Sequence, residues 1–172
     1  MAAVSRRFLA LPVLLALAVG LALFATRAWM HRAAEWEVRA GEIADFADLP
    51  AGDASRFLAC PPDYCNLRPD ATVPVFDLPW EDLRDRWSAV VAVQPRLRLV
   101  AGDGDLTRIT YIQASPLLGL PDLVTVQFVP LDEHRSSLAI LSRSRYPLPD
   151  LGANAARVNA WLAALRKSVS GG

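Results

Sequence analysis

The side chains best suited to chemistry gather near the C-terminus of the 172-residue chain, where Ser142-Arg143-Ser144-Arg145 is followed by Asp150, Gly152, Asn154 and Arg157. Guanidinium forks, a hydroxyl, an amide and the free N–H groups at a helix start all suit a phosphate or carboxylate, so Arg143, Ser144, Arg145 and Asn154 form a candidate anion site. Arg143 and Arg145 are alternate residues of a predicted strand and therefore share one face, expected to be the exposed one. A structural reading stands beside this one. In it Asp150 or Asn154 caps the last helix, Gly152 takes a backbone conformation few residues tolerate, and Arg157 pairs back to Asp150.

No catalytic residue emerges from the remaining chemistry. No G-x-S-x-G elbow, carboxylate cluster or glycine-rich phosphate loop is present, and the only histidines are His31, beside an apolar run, and His134, in a predicted turn. Cys60-Pro61-Pro62-Asp63-Tyr64-Cys65 holds two cysteines five positions apart on a proline-stiffened turn. In an oxidising compartment such a pair can close a small disulfide loop. The rival, a zinc site, needs two further ligands that the sequence does not offer nearby, so no metal is assigned. With no C-x-x-C-H and no C-x-x-C, haem attachment and thioredoxin-like chemistry drop out, and no cofactor is implied.

The elements that must position these residues follow from periodicity. Trp80, Leu83, Trp87, Val90 and Val91 form one apolar helical stripe, with Glu81 and Asp82 suiting the positive end of the helix dipole. Alternating segments Arg96–Ala101, Leu106–Ala114, Leu123–Pro130 and Ser137–Tyr146 predict strands, separated by Gly102-Asp103-Gly104, Gly119-Leu120-Pro121-Asp122 and Asp132-Glu133-His134. Leu97, Leu99, Ile109, Tyr111, Val124, Val126, Phe128, Leu138 and Ile140 share the apolar parity, while Arg96, Arg98, Arg108, Thr110, Thr125, Gln127, Arg143 and Arg145 make the other face polar. A last helix over about Asn154–Lys167 turns Val158, Trp161, Leu162 and Leu165 to one side. These elements predict an α+β domain, an antiparallel sheet of four or more strands with helices on one face.

Ahead of the domain, Phe8 to Thr26 is a run of 19 residues without a charge. As a helix it covers roughly 28 Å, close to the ~30 Å hydrocarbon core of a bilayer. Pro12 falls in the first turns and Trp29 at the far edge, where an indole suits the headgroup region. The leader Met1–Arg7 also fits a cleaved signal peptide, but small residues are poorly spaced around Leu23-Phe24-Ala25-Thr26-Arg27-Ala28. The expectation is an uncleaved signal-anchor in the inner membrane, single-pass, with the domain in the periplasm; export with cleavage is the alternative. From Ala33 onward 14 basic residues meet 18 acidic ones, a net charge of −4 that gives no electrostatic reason to bind nucleic acid. Gly41, Pro50 and Gly52 mark residues 27–56 as a juxtamembrane linker, the domain is expected over 57–167, and 168–172 as a disordered tail.

Two stretches, Gln113-Ala114-Ser115-Pro116-Leu117-Leu118-Gly119-Leu120-Pro121-Asp122-Leu123-Val124 and Ser142-Arg143-Ser144-Arg145-Tyr146-Pro147-Leu148-Pro149-Asp150-Leu151-Gly152-Ala153-Asn154-Ala155-Ala156-Arg157, together resemble the domain-of-unknown-function 1499 family. That family carries a Ser-Arg step, an Asp-x-Gly-x-Asn step and an arginine three residues later. Asp122, Ser144, Arg145, Asp150, Gly152, Asn154 and Arg157 fall on the pattern, whereas the family's Asn-Cys step near the domain start is reversed here as Cys65-Asn66. The resemblance implies a bacterial or organellar protein, often exported or membrane-associated, and supplies no established activity. Together with the residues it leads us to expect a membrane-anchored, non-catalytic accessory or binding module. Its partners would be the lipid bilayer and an unidentified membrane protein or anionic ligand. A hydrolase-like enzyme with an arginine-lined anion site is the alternative.

Overall fold

The computed structural model describes residues 3–33, 42–51, 55–116 and 119–171, with side chains of the first stretch described over 12–28. The side chains of Arg6, Arg7, Trp29, His31 and Arg32, and residues Gly41 and Gly52, on which parts of the sequence reading fall, lie outside the described residues. The chain begins with α1 (Ala3–Ala33), which contains Pro12. Among the described residues no helix is long and apolar enough to cross a membrane, so the span expected over 8–26 finds no support there.

The domain runs β1 (Arg56–Cys60), β2 (Ala71–Thr72), α2 (Trp80–Ala92), β3 (Leu97–Gly102), β4 (Arg108–Ala114), β5 (Pro121–Pro130), β6 (Ser136–Ser144) and α3 (Ala153–Ser170). Its single sheet has the order β2-β1-β6-β5-β4-β3. Every neighbouring pair is antiparallel except β1 with β2, which is parallel. The architecture is therefore α+β as expected, but the sheet is six-stranded and mixed. The two extra strands lie at one edge. β1 pairs with β6 through Phe57↔Ser142 and Leu58↔Leu141, a partner more than eighty residues away that no local periodicity announces.

Both helices of the domain pack on one sheet face. The α2 stripe buries Leu83, Trp87, Val90 and Val91, and α3 buries Val158, Trp161, Leu162 and Leu165. Trp87 and Trp161 meet edge to face with centroids 5.8 Å apart, an arrangement worth ~0.5–1.5 kcal/mol beyond area burial. Beneath them lie Ile109, Tyr111, Val124, Val126, Phe128, Leu138 and Ile140, the expected apolar parity. Leu99 keeps that parity opposite Tyr111, yet it is 57% exposed because β3 is an edge strand that the helices do not reach. The last helix runs on to Ser170, so residues 168–170 are helical where a disordered tail was expected.

The opposite sheet face is covered as well, which corrects the expectation of an exposed polar surface. Ala44, Phe46 and Leu49 form a second core with Leu58, Cys60, Ala139 and Leu141, packed by Tyr64, Cys65 and Leu67. Residues 42–50, expected to be linker, are thus a layer of the domain. Asn66 ties this layer down: its Oδ1 accepts the Leu49 N–H at 3.1 Å, its Nδ2 donates to Leu49 O at 3.2 Å, and its own N–H donates to Phe46 O at 3.2 Å. Thr110, Thr125 and Gln127 are buried on this side, where Thr110 and Thr125 hydroxyls bond across the strands at 3.1 Å and Arg108 Nε donates to Gln127 Oε1 at 2.7 Å. Such pairing keeps their burial inexpensive.

Candidate functional site

Strand pairing brings the chemically competent residues to one end of the sheet. Gln113 faces Asp122, Asp122 faces Ser144, and Val124 faces Ser142. The first turn of α3 descends onto this end. Asn154 and Arg157, three residues apart, lie on the inward face of that turn.

Arg157 is the hub. Its Nη2 donates to Asp122 Oδ2 at 2.6 Å, its Nη1 to Ser142 Oγ and to Asn154 Oδ1 at 2.7 Å each, and its Nε to Gln113 Oε1. The Ser142 hydroxyl in turn donates to Asn154 Oδ1 at 2.7 Å, and Asn154 Nδ2 donates to Ser55 O at 3.1 Å. Both side chains of the Asp122–Arg157 pair are only 9% exposed. An ion pair so desolvated holds its place only when its remaining donors and acceptors are satisfied, which Gln113, Ser142 and Asn154 accomplish. One guanidinium thus links β4, β5, β6 and α3.

Asp150 does only one of the two jobs expected of it. Its carboxylate accepts the N–H of Gly152 at 3.2 Å and of Asn154 at 2.9 Å, satisfying donors at the start of α3. The capping reading therefore holds for Asp150, while its expected pairing with Arg157 does not: the carboxylate is occupied by backbone, and Arg157 points into the sheet toward Asp122. Between Asp150 and the helix, Gly152 has φ +83°, a left-handed conformation that suits glycine. Burial pushes the Asp150 carboxyl upward, but the backbone donors of Asn154 and Gly152 and the Asn154 side chain outweigh it and hold the group below the usual carboxylate range.

The arginines of β6 go the other way. Strand alternation puts Arg143 and Arg145 on the face beneath residues 42–50, while Ser142 and Ser144 face the α3 side. Arg145 grips Glu42 with both limbs of its fork, Nε to Oε1 at 2.9 Å and Nη2 to Oε2 at 2.8 Å, and Arg143 Nη2 donates to Glu42 O at 2.8 Å. Arg143 and Arg145 therefore share a face as expected, but that face is covered. Ser144 and Asn154 lie on the other side of the sheet, so the four residues of the expected anion site do not converge.

A cavity opens on each side of this end. One, of 120 Å³, is lined by Ser115, Asp122, Ser144, Tyr146 and Asp150 among others. The other, of 210 Å³, lies between residues 43–50 and the β1–β6 pair, with Arg56 and Arg143 in its wall. Glu42, Ser142, Gln113 and Arg56 were not singled out in the sequence. Ser142 and Gln113 stood inside the recognised stretches, whereas Glu42 sat in an apparent linker with no local signal. At the far end of the sheet, Cys60 and Cys65 are joined by a disulfide. His134 lies in the exposed β5–β6 turn, and among the described residues no group of His, Cys, Asp or Glu could hold a metal ion.

The fold and the arginine-centred clamp define a class of protein, an α+β domain in which α3 is riveted to a mixed sheet by one buried guanidinium. The chain belongs to the family described as protein of unknown function (DUF1499), whose profile matches residues 55–165, from the residue before β1 into the last turns of α3. No curated protein and no solved structure matches it.

Proposed function

We propose that this protein is a membrane-anchored, extracytoplasmic, non-catalytic binding module. The single observation that carries the non-catalytic part is that the polar groups around the start of α3 are committed to one another or to backbone. Ser142 gives its proton to Asn154, Asp122 is held by Arg157, and Asp150 is held by backbone N–H groups. A nucleophile needs a free base and an accessible oxygen, and Ser142 is fully buried. The anchor rests on the uncharged sequence run from Phe8 to Thr26, which starts ahead of the described side chains. Exposed Leu14, Leu15, Leu17, Leu21, Leu23 and Phe24 on α1 support it, since the domain leaves them uncovered. The Cys60–Cys65 disulfide favours an oxidising compartment.

A hydrolase reading draws on one observation, the two carboxylates Asp122 and Asp150 and the Ser144 hydroxyl around a single cavity. A general acid there would have to hold a proton near neutral pH, and the depressed Asp150 carboxyl argues against that role. The test of the proposed function is alkaline carbonate washing of membranes from a bacterial host, with protease added to intact spheroplasts. Retention in the pellet and cleavage of the domain from outside are expected. Release by carbonate, or full protection from protease, would overturn the anchored, extracytoplasmic reading.

A further inference from the structure

The two ends of the sheet carry connections of opposite character. At the end where α3 starts, the β6–α3 connection is Tyr146-Pro147-Leu148-Pro149-Asp150-Leu151-Gly152, and the β4–β5 connection is Ser115-Pro116-Leu117-Leu118-Gly119-Leu120. Asp150 is the single charged residue in the two, and its carboxylate is turned onto the Gly152 and Asn154 N–H groups. At the opposite end the β3–β4 turn brings Asp103 and Asp105, and the β5–β6 turn brings Asp132, Glu133 and Arg135. The β6–α3 connection also holds its apolar side chains outward. Leu151 is 96% exposed and Leu148 50%, with Pro147 and Pro149 exposed beside them. Leu151 has φ +51°, a left-handed conformation unfavourable to leucine, so the domain gains neither burial nor a relaxed backbone from it.

This apolar tip is stiff and lies beside the end of α1. Ser55 Oγ donates to Leu148 O at 2.8 Å, and the Leu148 N–H donates to Tyr146 O at 2.7 Å. The two connections adjoin, since Ser115 and Leu120 of one and Leu148 and Pro149 of the other wall the 120 Å³ cavity. Arg27, the first charge after the run that ends at Thr26, donates through Nη1 to Pro116 O at 3.3 Å. A bilayer that holds this run therefore has its surface beside Pro116, within reach of the exposed leucines. Apolar side chains held out at such a boundary gain by leaving water for lipid, and a stiff loop loses little freedom in doing so.

We propose that this end of the domain docks on the phospholipid surface in which α1 is anchored, inserting Leu148 and Leu151 between the headgroups and the acyl chains. This rests on the anchored reading and adds an orientation to it. The start of α3 faces the lipid, and the acidic β3–β4 and β5–β6 turns face away.

The test uses the full chain reconstituted in phosphatidylcholine vesicles, with an environment-sensitive fluorophore on one introduced cysteine. Cys60 and Cys65 are joined to each other, so without reductant the label goes to Ala153→Cys, beside the leucines, or to Glu133→Cys, in the opposite turn. The label at 153 is expected to emit at shorter wavelength than in detergent-free buffer with denaturant. It should be quenched more by lipid brominated near the headgroup than by lipid brominated at the chain end, and the label at 133 by neither. Adding Leu148→Ser and Leu151→Ser should abolish the shift and the quenching at 153. Both leucines are exposed, so that variant should unfold like the parent and still float with the vesicles.

A chain that floats while its label at 153 reports water would overturn the docking and leave the anchor standing. A chain that does not float would overturn the anchor and the docking together. Equal quenching at 133 and 153, or quenching that the serine variant keeps, would overturn the assignment to this end of the domain. A blue shift at 153 that bromolipid leaves unquenched would mean that a second copy of the chain covers the leucines, which also overturns it.

Discussion

At the scale of single residues the family pattern reads as a description of one helix start. Asp150 holds the backbone ahead of α3, Gly152 takes the left-handed turn, Asn154 reaches Ser142 and Ser55, and Arg157 closes on Asp122. Removing one partner of that pair strands the other charge in a desolvated place. Asp122→Asn or Arg157→Gln should therefore cost about 3–5 kcal/mol in urea unfolding, and the double variant less than the sum of the two. A hydrolase predicts the opposite for Asp122→Asn, lost turnover in a domain that unfolds like the parent. Asp150→Ala should cost ~1 kcal/mol at neutral pH as a lost cap. The sign of its pH dependence follows from the depressed carboxyl. Its stabilisation is complete above the unfolded value near ~3.9 and disappears as pH falls through the lower folded value. Parent and Asp150→Ala should thus differ in melting temperature at pH 7 and converge as pH falls below the unfolded carboxylate value of about 3.9.

At the scale of elements, one covalent tie and one set of hydrogen bonds hold the β1 edge. The Cys60–Cys65 loop is short, so reducing it should lower stability by about 2 kcal/mol through unfolded-state entropy. Denaturation with and without a phosphine reductant measures this. Asn66→Ala should loosen residues 42–50, seen as faster hydrogen exchange at the Leu49 N–H while the α2 and α3 amides keep their protection. These ties show what the sequence concealed. Four strands and both domain helices were legible because each carries its own periodicity over six residues or more between turn residues. β2 has two residues and β1 buries its last three in succession, so neither shows an alternation. Residues 42–50 looked like linker because Pro50 and the neighbouring glycines dominate their local signal, although Phe46 is among the most buried side chains of the domain. In the candidate site the positions were readable but the pairing was not. Asp122 and Arg157 are 35 residues apart, and their meeting depends on strand register and on how α3 lands.

At the scale of the whole molecule, an apolar N-terminal helix precedes a domain that its buried polar residues hold together. Arg27, just beyond the uncharged run, donates to Pro116 O at 3.3 Å, which sets the β4–β5 loop beside the end of α1. The central claim is that this helix stays attached and holds the domain at the membrane. The most direct measurement is N-terminal sequencing, with intact mass, of the protein recovered from carbonate-washed membranes. The account predicts a chain that still contains residues 8–26. A mature chain beginning between Ala25 and Glu35 would contradict it.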